Sequence, residues 1–302
     1  MKRSILITGG GGQGGLELQR LRWPDSIKLE APGRAELDIT SAESVAAWFD
    51  VHPPQCVVNA AAHTAVDKAE EDVASAFLVN AQGPAFLAEA ARRVSAPIIQ
   101  VSTDYVFDAP GNQPYRESDP TGPLSAYGAS KLAGEFAVRA ANPRHVIIRT
   151  AWVVSAHRSN FIKTMLRLAQ SRSDLQVVAD QHGSPTSAAD FSAALQTVAL
   201  RLMDDPDAPV GVYHFVNAGE ASWHEFAEYI FARWEQRGSP RPQVAAIPSS
   251  HYPTPARRPA NSRLDTRRIG ASFGLKPRPW QEAVDDILSE LAASERQEQG
   301  KS

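Results

Sequence analysis

The sequence predicts an α/β protein with a doubly wound parallel sheet and a smaller mixed α/β lobe beside it. Three observations carry that prediction. Short apolar runs alternate with segments of helical period through the first half, a glycine cluster joins the first run to the first helical segment, and the texture changes after about residue 151. Runs that are apolar on both faces suit strands covered by helices on each side of a sheet. Strand–helix–strand repetition then brings right-handed crossovers and parallel pairing.

The elements follow in order. Residues 4–8, 57–59, 98–102 and 146–149 are short, rich in Val and Ile, and read as strands. Residues 41–49, 72–80, 84–94 and 126–139 place apolar side chains at helical spacing. In such a sheet the ligand crevice opens at the carboxyl ends of the strands, where Gly9, Asn59, Ser102 and Arg149 fall. Further on, residues 160–171 and 188–204 read as helices and 212–217 as a strand. Residues 222–237 read as a helix opened by Ser222 and Glu225 at capping-box spacing. Residues 238–259 are proline-rich and predicted irregular, and 281–292 form a last helix.

Composition narrows the function classes. At 302 residues, 43% hydrophobic and 22% charged, the chain can bury a sizeable core. The net charge of -3, with no basic cluster larger than pairs such as Arg92-Arg93, Arg257-Arg258 and Arg267-Arg268, argues against a nucleic-acid partner. Cys56 is the single cysteine, so there is no internal disulfide and no thiolate cluster; it reads as core packing. Only Ile5-Leu6-Ile7 follows the basic N-terminus, and no stretch reaches the ~20 apolar residues of a membrane span. A cytoplasmic protein without a membrane partner is expected.

The first strand runs into Thr8-Gly9-Gly10-Gly11-Gly12-Gln13-Gly14-Gly15. The spacing Gly9-x-x-Gly12-x-x-Gly15 lets a backbone turn tightly against a pyrophosphate with a helix N-terminus aimed at it. With a strand before and a helix after, it predicts a Rossmann-type dinucleotide site. Asp38 and Ile39 would flank the adenine, and the small residues from Ala60 to Ala62 would let the dinucleotide lie close. Glu30 and Arg34 stand within four residues, one suited to a free ribose and the other to a 2′-phosphate, which leaves NADH or NADPH open.

Tyr127 and Lys131 are four residues apart, one helical turn, so a phenol and an ammonium share a face. The pair can relay a proton to a substrate oxygen as hydride moves, with a hydroxyl from Ser102-Thr103-Asp104 bonded to the same oxygen. The scattered histidines show no metal-ligand spacing, and residues 67–72 read as a solvated turn and helix start. Arg257-Arg258 is a candidate for a substrate diphosphate or an exposed loop pair.

These features resemble the extended short-chain dehydrogenase/reductase superfamily and, within it, the dTDP-4-dehydrorhamnose reductase family. The likeness is carried by residues 12–20, 59–69 (NAAAHTAVDKA), 102–107, 127–135 (YGASKLAGE), 149–152, 160–161, 180–186, 258–259 and 261–262, and it extends to about Pro279. The resemblance implies reduction of the C4 keto group of dTDP-4-dehydro-L-rhamnose to dTDP-L-rhamnose by NADPH or NADH. Tyr127 would be the proton donor, Lys131 its support on the nicotinamide ribose, and Thr103 the partner of the carbonyl oxygen. Asp104 and Trp152 would contact the deoxysugar, while Gly12, Gln13, Asp38, Ile39, Ala62, His63 and Thr64 would touch the cofactor. A dinucleotide-binding domain is expected over residues 1–150, with some later segments returning to it. A mainly substrate-binding lobe would cover 151–294, and a frayed tail 295–302.

Two departures and three alternatives accompany the resemblance. Gly14 stands where the family usually has a larger apolar residue, so a looser helix start is expected. Some relatives dimerise through a metal such as Mg2+ held by glutamates; Glu17 and Glu290 match two of these positions, but the third falls near Ala189 beside Asp190. Monomer and homodimer both stay open. A dehydratase would need an Asp-Glu pair after Thr103, and Asp104 is followed by Tyr105. Another sugar-nucleotide reductase or an epimerase is a further alternative, and the last is a non-catalytic regulatory subunit of a methionine adenosyltransferase.

Overall fold

A computed structural model of the chain describes residues 2–108 and 111–299. Strands β1 (Arg3–Thr8), β2 (Ile27–Glu30), β3 (Cys56–Asn59), β4 (Ile98–Thr103), β5 (His145–Thr150) and β10 (Gly211–His214) form one parallel sheet in the order β2-β1-β3-β4-β5-β10. From β1 the chain moves to β2 on one side and then to β3 on the other. That reversal puts the switch point, and so the crevice, between β1 and β3. The fold is of the Rossmann type, as the alternation of elements predicts.

Alternate strand residues face opposite layers. Ile5, Ile7, Val58 and Ile99 pack with Leu18 of α1 (Gln13–Arg20) and Phe191, Leu195 and Val198 of α8 (Ala188–Asp204). Leu6, Val57 and Ile98 pack with Val45 and Phe49 of α2 (Ala42–Val51), Leu87 of α5 (Gly83–Arg93) and Val138 of α6 (Ala126–Ala141). Cys56 is fully buried in β3, and burial pushes its thiol up to about 12, which makes it a packing residue. The four-residue β2 went unmarked because Lys28 and Glu30 break its apolar run at the sheet edge.

The predicted helix over residues 72–80 divides in the structure. After α3 (Val66–Glu71), α4 (Val73–Phe77) passes into a π-helical turn over Leu78–Gln82. Short ladders join β6 (Val153–Val154) to β9 (Thr186–Ser187), and set β8 (His182–Gly183) between β11 (Ala221–Ser222) and β13 (Asn261–Ser262).

The second lobe has its own apolar core. Ile162 and Leu166 of α7 (Phe161–Ala169) meet Phe226, Ile230 and Phe231 of α9 (Trp223–Glu235), with Val284 and Leu288 of α11 (Trp280–Gln299) closing the cluster. The capping box at Ser222 and Glu225 is formed. Residues 238–259 are not irregular throughout, because β12 (Gln243–Ile247) pairs in parallel with β7 (Asp174–Val178). Its alanine-rich run between prolines is too short to signal a strand. Helix α10 (Arg267–Phe273), closed by Gly274 in the left-handed region, also escaped the periodicity. The tail expected to fray from residue 295 stays helical to Gln299, while Gly300, Lys301 and Ser302 lie outside the described residues. Among the described residues no helix is long and apolar enough to cross a membrane.

Candidate active site

The β1–α1 turn is shaped by sterics. Gly9 has φ 73°, and a β-carbon there would strike the backbone of Ala60 and Ala61 at the end of β3. A β-carbon on Gly15 would land on the Gly9 carbonyl, so Gly15 is needed for close packing of the turn on its helix. Gly14 is different, since a β-carbon there meets nothing within 4 Å. Gly12 is the N-cap and supplies no side-chain bond, and the first turn holds no acidic residue. No side chain caps the N–H groups that open α1, an arrangement that suits an anion.

Polar side chains level the strand ends beneath this turn. Thr8 Oγ1 donates to Asn59 Oδ1 at 2.5 Å, and Asn59 Nδ2 donates to Gln100 Oε1 at 2.7 Å. Beside them, Thr40 donates from its hydroxyl (2.7 Å) and backbone (3.0 Å) to Asp38 Oδ1, which with nearby Arg34 holds that carboxyl below the usual range. At the end of β2, Lys28 Nζ reaches Glu30 Oε1 at 2.7 Å, while Glu30 Oε2 is buried with no hydrogen-bond partner among the described residues.

At the other end of the crevice, α6 begins at the N-cap Ser125, which accepts from Gly128 N at 3.1 Å. A β-carbon on Gly128 would overlap the Tyr105 carbonyl, and one on Gly134 the Asn80 carbonyl. These glycines press α6 onto its neighbours and place Tyr127 and Lys131 beside β4. The Tyr127 phenol is buried and pushed up to about 12 by desolvation; the Thr103 hydroxyl against it opposes the shift and Asp104 adds to it. Lys131, 3% exposed, donates from Nζ to the Val101 carbonyl at 2.7 Å. Burial draws its ammonium down to about 8 while Glu135 opposes.

Asp104 is raised to about 6 by burial, with the Ser262 and Thr103 hydroxyls opposing. Beneath lies a buried ion pair. Arg149 Nε and Nη2 donate to Glu135 Oε1 and Oε2 at 2.8 and 2.6 Å, and Ser102 Oγ donates to the same Oε1 at 2.6 Å. Trp152, at φ 49°, stacks on Trp223 with centroids 3.5 Å apart and shields Gly183.

One cleft of about 830 Å³ brings most expected residues together. Gly9, Gly12, Gln13, Gly14, Asp38 and Ile39 line the end at the glycine turn. Ala62, Thr64, Thr103, Asp104, Tyr127, Lys131 and Trp152 line the rest. Gly15 and His63 do not line it. Gly15 acts from behind the turn, and Asn80 holds the His63 backbone by bonds of 2.8 and 3.1 Å. Arg258 pairs with Asp67 at 2.8 Å.

Glu17 and Glu290 do come together, but around Arg20. Its Nη1 lies 3.3 Å from Glu17 Oε1, 2.7 Å from Glu290 Oε1 and 2.7 Å from His157 Nε2. A guanidinium already sits between the carboxylates, and among the described residues no group of three or more metal-ligating side chains is found. With that guanidinium in place, the donor set does not fit a bridging cation.

The sequence places Arg149 at the crevice without a partner and assigns no role to Val101 or Glu135. The four-residue step from Lys131 to Glu135 was a usable signal. A backbone carbonyl such as that of Val101 leaves none.

Comparison with known proteins agrees with the fold. The profile of the RmlD substrate binding domain family matches residues 1–293. A dTDP-4-dehydrorhamnose reductase of Sinorhizobium fredii is 45% identical over 285 residues, covering 94% of this chain and 96% of that protein. The crystal structure of a dTDP-4-dehydrorhamnose reductase from Clostridium acetobutylicum superimposes with a TM-score of 0.90 at 38% identity, covering 96% and 99% of the two chains. One from Bacillus anthracis, in complex with NADP, gives 0.89 at 33% identity, covering 96% and 100%.

Proposed function

This chain belongs to the dTDP-4-dehydrorhamnose reductase family, and we propose that it reduces the C4 keto group of dTDP-4-dehydro-L-rhamnose to dTDP-L-rhamnose with NADPH. The observation that carries the reading is the meeting of Thr103, Tyr127 and Lys131 in the cleft whose far end is the glycine turn. A reduced nicotinamide, when bound, supplies the hydride to the sugar carbon.

The chain's own groups handle the proton and the charge. With its phenol pushed up to about 12, Tyr127 is protonated at neutral pH and has a proton to give. It delivers that proton to the C4 oxygen, completing the hydroxyl, while the Thr103 hydroxyl turns from Asp104 Oδ1, to which it donates at 3.0 Å, and donates to the same oxygen. Lys131 turns from the Val101 carbonyl to the nicotinamide ribose and offsets the charge left on Tyr127. Asp104 and Trp152 hold the deoxysugar.

NADPH is favoured over NADH because Arg34 lines the cleft. Glu30, the carboxylate that would take the free ribose, is not among the lining residues.

The test is a coupled assay in which the keto-sugar nucleotide is generated in place and oxidation of NADPH or NADH is followed. Tyr127→Phe should lose roughly 10²–10⁴-fold in kcat while still binding cofactor. A folded, cofactor-binding protein that oxidises neither cofactor with this substrate would rule the assignment out.

A further inference from the structure

We infer that Arg158, carried by the second lobe, is the side chain that clamps the cofactor's diphosphate onto the glycine turn. The inference rests on the reading of the cleft as a dinucleotide site.

Four observations converge on this residue. Arg158 Nε donates to the Gly11 carbonyl at 2.7 Å, so a side chain 147 positions away in sequence is fastened to the phosphate turn. Its Nη2 edge lies 3.4 Å from where a β-carbon on Gly11 would be, and Arg158 lines the cleft. Its backbone has φ 55°, a conformation that side chains other than glycine seldom adopt and that the surroundings must hold.

The hold comes from Gln13. Its Oε1 accepts from Ser155 Oγ at 2.7 Å and from Asn160 Nδ2 at 3.0 Å, and its Nε2 donates to the Val153 carbonyl at 3.3 Å. The segment from Val153 to Asn160 is thus pinned at both ends to the first residue of α1, with Arg158 between the pins.

The charge distribution then assigns the ligand atoms. A diphosphate seated on the glycine turn faces N–H groups from α1, but a helix start supplies only about half a positive charge. Among the cationic side chains that line the cleft, Arg34 stands beside Asp38 on the adenine side and Lys131 is buried at the catalytic end. Arg158 is the one beside the turn. A guanidinium with one nitrogen fixed on a carbonyl presents its remaining donors in the planar fork that matches two phosphate oxygens.

The test is equilibrium binding to the full chain, without the sugar substrate. NADPH and ADP-ribose carry the diphosphate, while adenosine 2′-monophosphate does not. Arg158→Gln keeps a donor for Gly11 but removes the charge, and Arg158→Ala removes both. Both variants should bind NADPH and ADP-ribose roughly tenfold to a hundredfold more weakly and bind adenosine 2′-monophosphate as the native protein does. The salt dependence of NADPH affinity should also flatten in Arg158→Gln.

If Arg158→Gln binds NADPH like the native protein while Arg158→Ala does not, the arginine only braces the turn and the inference is overturned. Equal losses for all three ligands would overturn the diphosphate assignment. A native protein that binds neither NADPH nor NADH would instead overturn the reading of the cleft itself.

Discussion

The two ends of the cleft do their work with different materials. The phosphate end is backbone: Gly9, Gly12 and Gly15 bring chain close to chain, and the groups offered to a ligand are N–H donors at the start of α1. The catalytic end is buried charge. Lys131, Glu135 and Arg149 are all nearly inaccessible, and Tyr127 and Asp104 are shifted upward by the same desolvation. Sterics decide what is tolerated at the first end, and electrostatics at the second. A residue that adds one methyl group is dangerous near Gly9 and Gly15, whereas one that removes a charge is dangerous beneath Tyr127.

The largest effect expected from that contrast is on the Glu135–Arg149 pair. Both side chains are 5% exposed or less, and the bonds between them are 2.6 and 2.8 Å. Arg149→Met leaves a buried carboxylate whose main partner is gone and should lower unfolding stability by about 3–5 kcal/mol, read from a denaturant midpoint. Replacing both, with Glu135→Leu added, should recover most of the loss, because two apolar groups need no partner. A single variant that loses under about 1 kcal/mol would mean that packing, not charge, holds this end.

The phosphate end gives a sharper contrast between neighbours. Gly15→Ala would drive a methyl group into the Gly9 carbonyl, which should cost about 1–3 kcal/mol of stability and displace the turn, lowering NADPH affinity with it. Gly14→Ala, one residue earlier, meets nothing within 4 Å and should stabilise the helix by about 0.5–1 kcal/mol. Thermal melts of the two variants, with and without NADPH, would show it. Similar behaviour of the pair would show that helix propensity, not close approach, governs this turn.

The same contrast explains which features were readable in the sequence. Close backbone approach can be met by one residue type only, so the glycine turn announces itself, as does the helical step from Tyr127 to Lys131. Long apolar strands such as Ile98–Thr103 were legible for a similar reason, because burial on both faces permits few alternatives. What stayed hidden depends on neighbours distant in sequence. The β7–β12 pair, the docking of Arg158 on Gly11 and the Arg20 contact with Glu290 join residues 69, 147 and 270 positions apart. A strand of two alanines and two branched residues has no periodicity strong enough to show. The polarity of the tail reads as a frayed end, yet the backbone is helical to Gln299, because polar residues of good helix propensity suit both states.

The smallest predicted effect tests whether the buried charges tune chemistry as well as stability. Lys131 is drawn down to about 8 by burial, and Glu135 is the group that opposes this. As pH rises through about 8, the ammonium is lost and with it the charge that balances Tyr127 after proton transfer, so kcat/KM for reduction should fall. Unfolding is not the cause in that window. The unfolded chain holds the lysine proton more tightly than the folded one, so this group makes folding more favourable as pH rises above about 8. Glu135→Gln removes the opposing charge and leaves Arg149 unbalanced, and both changes disfavour the ammonium. The alkaline limb of the pH–rate profile should therefore move to lower pH, while Glu135→Asp, which keeps the carboxylate, should leave it close to native. A limb that stays in place in Glu135→Gln would confine the ion pair to structural support and leave Lys131 governed by desolvation alone.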